Sequence, residues 1–161
     1  MKPSKRSTTL TSVTAAVLLG SCAPSAPPPE TAPKPQKQFV NLSPAQKPNG
    51  YTHVVTSPPG KMVFVSGQGG AGEDGVMPAD FAAQAENTFK NIGKCLELGG
   101  ATFADIVKIN YYLKDMNDLT TLRAVRAKYL NMEAPPAATA IQSGLAGSLL
   151  LEVEVVAVVP E

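Results

Sequence analysis

The chain has 161 residues, 43% of them hydrophobic, with 15 Pro and 13 Gly, which fits one domain of ordinary size plus a length that cannot be core. Its 14 Lys and Arg stand against 13 Asp and Glu, with no Trp, four Tyr and five Phe, so it lacks the basic field and the stacking surface that a nucleic-acid partner requires. One His and two Cys far apart in sequence fall short of a zinc ligand set, and neither a metal nor a cofactor is expected.

Lys2, Lys5 and Arg6 form a basic start, and Thr9 to Leu19 is an uncharged, mildly apolar run too short to span a bilayer as a mature helix. It reads as a secretory signal. The run ends Leu19-Gly20-Ser21-Cys22, which resembles the lipobox of bacterial lipoproteins. The resemblance implies that residues 1–21 are removed and that Cys22 is acylated as the new N-terminus. Ala23 in place of an Asp then favours the outer membrane, facing the periplasm, and stable attachment follows from several acyl chains at ~0.8 kcal/mol per buried CH₂. Cleavage leaves 11 basic against 13 acidic residues. The segment 22–38 carries six Pro (24, 27, 28, 29, 33, 35) and buries too little to fold. It reads as a tether of at most about 50 Å at ~3.1 Å per residue.

The folded domain is expected over 39–161. Val54-Val55 and Met62 to Val65 read as two strands joined by a turn at Ser57-Pro58-Pro59-Gly60, and a Gly-rich loop follows from Gly67 to Gly75. Asp80 is placed to cap a helix whose Ala82, Ala85, Phe89, Ile92 and Leu96 share one face, with Gly99-Gly100 as its stop. From Ile106 to Lys114 the period becomes two, with Val107, Ile109, Tyr111 and Leu113 on the dry side. Asn117 or Asp118 then caps a second helix carrying Leu122, Val125, Tyr129 and Met132, ended by Pro135-Pro136. Ala137 to Gln142 and Leu149 to Val159 complete the set as strands. In the last strand Leu151, Val153, Val155, Ala157 and Val159 share one face, while Leu150, Glu152, Glu154, Val156 and Val158 share the other. Both faces are mostly apolar, and two helices cover only one. The other needs a second copy of the chain.

This element order, with Val65-Ser66-Gly67-Gln68, Phe81-Ala-Ala-Gln84, Ile106-Val107-Lys108, Lys114-Asp-Met-Asn-Asp118, Pro135-Pro136-Ala137 and Glu152-Val-Glu154-Val-Val-Ala-Val158, resembles the Rid family, the reactive intermediate deaminases also called YjgF. The resemblance covers about residues 39–160. It implies a chorismate-mutase-like α+β fold with a mixed sheet, two helices on one face, and a homotrimer whose clefts lie between subunits. In one branch those clefts hydrolyse 2-imino acids to 2-oxo acids and ammonia.

Carried over residue by residue, the resemblance makes Glu152 the group that activates water and puts Tyr51 and the backbone of Gly67 in the cleft. The family's carboxylate-binding Arg, two residues after a Pro, falls on Ala138, the next position is Thr139, and a second-helix Asn is Arg123. The chain thus resembles the branches that lack the Arg. Two functions follow as alternatives: a hydrolase of small imines or enamines that is weak on 2-imino acids, or a small-molecule-binding or envelope interaction module without turnover. Glu154 is expected to be a structural partner, His53 a satisfied polar residue and Cys95 a small core residue.

Overall fold

The structure, a computed structural model, describes residues 36–161. The signal, Cys22 and most of the tether lie outside the described residues. Six strands and two helices run in the order β1 (Gln38–Val40), β2 (Val54–Thr56), β3 (Gly60–Gln68), α1 (Phe81–Leu98), β4 (Ile106–Leu113), α2 (Leu119–Arg126), β5 (Ala137–Gln142) and β6 (Leu151–Pro160). The main sheet is ordered β3-β6-β4-β5, with β4 and β5 parallel and the other pairs antiparallel. Among the described residues, no helix is long and apolar enough to cross a membrane.

The expected β2–β3 pairing does not occur. β2 pairs instead with β1, Phe39 opposite Val55, a partner that the Pro-rich flank concealed. Pro58 and Pro59 offer no N–H to a hairpin ladder, and the chain passes between two sheets at that point.

Helix α1 forms as its pattern predicts. The Asp80 carboxylate accepts the Ala83 N–H at 2.9 Å, and Gly100, at φ +69°, lets the chain turn back so that the Ala101 N–H reaches the Leu96 carbonyl. Ala85, Phe89, Ile92 and Leu96 are fully buried against the sheet. Two polar residues, Gln84 and Thr88, join them. Gln84 donates to the Pro78 and Ser148 carbonyls at 2.7 and 3.0 Å and accepts the Leu150 N–H at 2.9 Å. It fastens α1 to the entry of β6, which is why a buried amide is tolerated. The Gly-rich loop lies across α1 as a close-packed strap, held by Asn87 to Gly70 and by Asn91 to Gly69 and Ala71.

β4 departs from strict alternation at its start. Ile106 pairs with Ala157 and Lys108 with Val156, so Val107 is an extra residue in a bulge and Ile106 takes the core position expected for Val107. α2 is shorter than its spacing predicts. Asp118 occupies the expected N-cap position but makes no side-chain cap bond, and Asp115 accepts the Asn117 N–H ahead of a 3₁₀ turn, Met116–Asp118. After Arg126 the backbone tightens into turns, the Lys128 N–H bonding the Val125 carbonyl and the Tyr129 N–H that of Arg126. Tyr129 therefore lies outside the helix yet still stacks on Phe89, ring centroids 5.0 Å apart. Its hydroxyl donates to Glu86, and burial together with that carboxylate pushes the phenol up to about 12.

Both helices pack on the side of Leu151, Val153, Val155 and Ala157. The opposite face of the sheet leaves Phe64 71% and Met62 55% exposed, beside a shallow pocket of about 330 Å³ bordered by Lys108, Asn110 and Glu154. That is the two-sided apolar sheet the last strand announces.

Candidate active site

The structure divides the expected site residues between the two faces of the sheet. Glu152 stands on the open face, since Glu152 pairs with Tyr112 and alternates with the buried Leu151 and Val153. It meets Gly67. β3 and β6 fall out of step between Val65 and Gln68, so Gly67 lies in a bulge within β3 rather than in a turn beyond it. A Cβ on Gly67 would fall 1.8 Å from Glu152 Oε1, so the carboxylate occupies the space that only a glycine leaves. Among the described residues no hydrogen bond engages the Glu152 side chain, whereas Glu154 accepts from Asn110 Nδ2 and Tyr112 Oη, each at 2.8 Å. Those two donors hold Glu154 below the usual carboxylate range. Two neighbouring outward carboxylates thus differ: Glu154 is bound into the sheet, and the Glu152 side chain makes no hydrogen bond among the described residues. Thr139 shares the open face, its hydroxyl taking a hydrogen bond from Lys108 Nζ at 2.9 Å.

Ala138 and Ala140 point the other way. They pair with Ile109 and Tyr111 of β4, both buried on the helix side. Here a pocket of about 270 Å³ opens between β5, α2 and the segment before β2, bordered by Tyr51, Tyr111, Arg123, Arg126, Ala138 and Ala140 among others. Tyr51 is brought there because Thr52 is tied to the Pro-Pro step, its N–H to the Pro136 carbonyl at 3.2 Å and its hydroxyl to that of Pro135 at 2.6 Å. Arg123 is exposed at the rim. His53 stays outside the pocket, bonded to Asn41 Oδ1 through both its backbone N–H and its ring at 3.1 Å. Cys95 is half-buried against the core.

Two pocket residues carry no site role in the sequence pattern. Tyr111 is buried on the dry side of β4, as its alternation predicts, yet also borders the pocket, and Arg126 has no role assigned by the pattern. Arg126 is 5% exposed and its guanidinium carbon lies 5.8 Å from the centroid of the Tyr111 ring. Burial pushes the Tyr111 phenol up to about 12, the charge of the neighbouring Arg126 and the approach of its N–H donors to the phenol offsetting part of the shift. The signal was present in the spacing: Leu122, Val125 and Arg126 fall at i, i+3 and i+4, which turns the arginine toward the sheet.

A larger hollow, about 960 Å³, lies elsewhere, between the Gly-rich loop and α1. It holds none of the expected site residues. Its charged side chains include the exposed Glu73–Lys94 pair, 2.7 Å apart, which are ordinary surface features.

The profile described as endoribonuclease L-PSP matches residues 43–159. A RutC family protein of Pyrococcus horikoshii is 32% identical over 75% of this chain and 97% of its own length. The 2-iminobutanoate/2-iminopropanoate deaminase of Escherichia coli is 32% identical over 62% of this chain and 80% of its own. Among solved structures, RidA from an Antarctic Psychrobacter superposes with a TM-score of 0.59 at 33% identity, covering 68% of this chain and 88% of the other.

Proposed function

Because this chain belongs to the endoribonuclease L-PSP family, the group of the YjgF, Rid and RutC proteins, we propose that it hydrolyses small reactive imines in clefts formed between its own copies. The observation that carries this reading is the Glu152 carboxylate seated over Gly67 without a partner among the described residues. Relatives named for deamination of 2-iminobutanoate and 2-iminopropanoate supply the reaction class. Phosphodiester cleavage, which the family's description suggests, fits poorly with a chain of near-balanced charge.

The chemistry asks little of the protein. Water adds to the carbon of the C=N bond while Glu152 accepts one of its protons. That proton is passed to the nitrogen to give a carbinolamine, and the carbinolamine hydroxyl then gives its proton through the same carboxylate to the nitrogen, so that the C–N bond breaks, ammonia leaves and the carbonyl forms. Imine plus water gives carbonyl plus ammonia, and the carboxylate ends as it began.

In one protomer Glu152 and the Tyr51–Ala138 pocket lie on opposite faces of the sheet, two strands apart. A single cleft containing both is built when the open face of one copy meets the pocket side of the next. The exposed Met62 and Phe64 support that association, and a closed ring of three satisfies it. Ala138 gives a substrate carboxylate no contact from β5, so a clamp on that strand is lost. A binding module without turnover remains the alternative. Light scattering is expected to give the mass of three copies, and imines generated by an amino-acid oxidase should disappear faster with protein than in its absence. A stable monomer, or no acceleration with either charged or neutral imines, would overturn the reading. The Leu19–Cys22 motif further supports a lipid anchor on the outer membrane, checked by whether Cys22→Ser releases the chain from the membrane fraction.

A further inference from the structure

Arg126 is buried against the Tyr111 ring with no anion beside it among the described residues. It is 5% exposed, and no ion pair reaches it among the described residues. Its Nε meets no partner at hydrogen-bonding geometry, and the Tyr111 hydroxyl, on a side chain 1% exposed in the same pocket, has only the Arg126 side chain near it and no partner at bonding geometry either. Guanidinium groups do not shed their charge on burial, so a buried one without a carboxylate is destabilising until an anion arrives.

The surroundings are shaped around it. Gly50, at φ +88°, comes so near that a Cβ there would fall 1.8 Å from Arg126 Nη2, so the turn before Tyr51 leaves room for the guanidinium and for nothing larger than hydrogen. On the facing wall Ala138 and Ala140 present only methyl groups. The pocket contains two arginines and no acidic residue, so its field favours an anion. A planar five-donor fork backed by a phenolic hydroxyl matches a carboxylate, which accepts two parallel N–H bonds and one more from the side.

We infer that Arg126, with the Tyr111 hydroxyl beside it, holds the carboxylate of a small 2-oxo or 2-imino acid in the pocket beneath Ala138. The clamp that β5 lacks is supplied from α2. This rests on the pocket being the substrate-binding half of the proposed cleft, and it makes 2-imino acids substrates of this chain despite Ala138. Arg123, exposed at the rim, contributes attraction over distance and no fixed geometry.

Calorimetric titration of the full chain with 2-oxobutanoate, a carboxylate that cannot be deaminated, tests this apart from turnover. Wild type is expected to bind it saturably and at least about tenfold more tightly than the uncharged 2-butanone. Arg126→Gln should weaken 2-oxobutanoate about ten- to a hundredfold, the range for a lost charge-assisted fork, and Arg123→Gln about threefold or less. Adding Ala138→Arg to Arg126→Gln should restore affinity, because it fills the same pocket from the opposite wall. Should Arg126→Gln fail to fold, Tyr111→Phe keeps the ring and is expected to weaken the acid about three- to tenfold. Equal affinity of wild type and either variant would overturn the inference and make Arg126 a structural charge paired across the subunit contact, as would the absence of saturable binding. Arg126-dependent binding by a protein that hydrolyses no imine would support the clamp and contradict the deaminase.

Discussion

Replacing Gly67 with Ala should lower imine hydrolysis by at least about a hundredfold, the scale of a lost positioned base, while the fold persists. A Cβ at this position would meet Glu152 Oε1 at 1.8 Å, Cδ at 2.7 Å and Cγ at 3.0 Å. These are atoms of a side chain on the open face of the sheet, so the carboxylate can swing away without moving the backbone. Gly67 has no left-handed backbone angle that alanine would strain. The substitution therefore moves the base and leaves the sheet standing. Circular dichroism and thermal melting should match wild type within a few degrees, with the loss appearing in kcat rather than in the affinity for 2-oxobutanoate. A Gly67→Ala protein as active as wild type would show that the position of the carboxylate over that glycine is irrelevant to the reaction.

Gly70→Ala acts on the opposite side of the same segment and on stability instead. Its Cβ would lie 2.5 Å from Gln84 Cα, 2.5 Å from Gln84 O and 2.6 Å from Gln84 Cβ. Those are atoms of the first turn of α1, which cannot swing aside as a side-chain tip can. Relief requires lifting the Gly-rich strap from α1, and that puts at risk the Asn87 and Asn91 bonds to it and the Gln84 bonds to Pro78, Ser148 and Leu150. Overpacking of this kind with loss of a buried bond costs about 2–4 kcal/mol. In a domain of this size that corresponds to a fall in Tm of roughly 8–20 °C, read by thermal or urea unfolding. An unchanged midpoint would mean that the strap is not bonded to the helix in solution.

Alternation and helical spacing carried much of the fold into view before the structure. The face of α1, its Asp80 cap and its Gly99-Gly100 end follow from residue type and position alone, as do β5 and the two-sided character of β6. What the pattern could not show was pairing. Gln38-Phe39-Val40 is too short to alternate visibly, so the pattern pairs β2 with the strand next in sequence, whereas its partner lies before it in the chain. The bulge at Val107 is equally silent, because an extra residue changes which side chains face inward without changing composition. In α2 the apolar spacing continues to Met132 although the helix stops at Arg126, since a run of turns can keep side chains on the same side.

Of the site, Glu152, Gly67, Tyr51, Arg123, Ala138 and Thr139 were named through family resemblance, and the structure sorts them by face. Glu152 and Gly67 touch. Tyr51, Arg123 and Ala138 share the helix-side pocket, and Thr139 bonds Lys108 on the open side. Arg126 is not legible in the sequence, because nothing in the pattern marks a charged residue at a core-facing helical position until the glycine turn that accommodates it is in place.

The role of Glu152 is tested most directly by the initial rate at which oxidase-generated 2-iminobutanoate is lost, followed against a trapping reagent with wild type and with Glu152→Gln. Glutamine keeps the shape and removes the base. Wild type is expected to outpace the uncatalysed loss, and Glu152→Gln to fall by about two orders of magnitude or more while keeping the wild-type mass in light scattering and still binding 2-oxobutanoate. A Glu152→Gln protein that consumes the imine as fast as wild type would contradict the proposed mechanism.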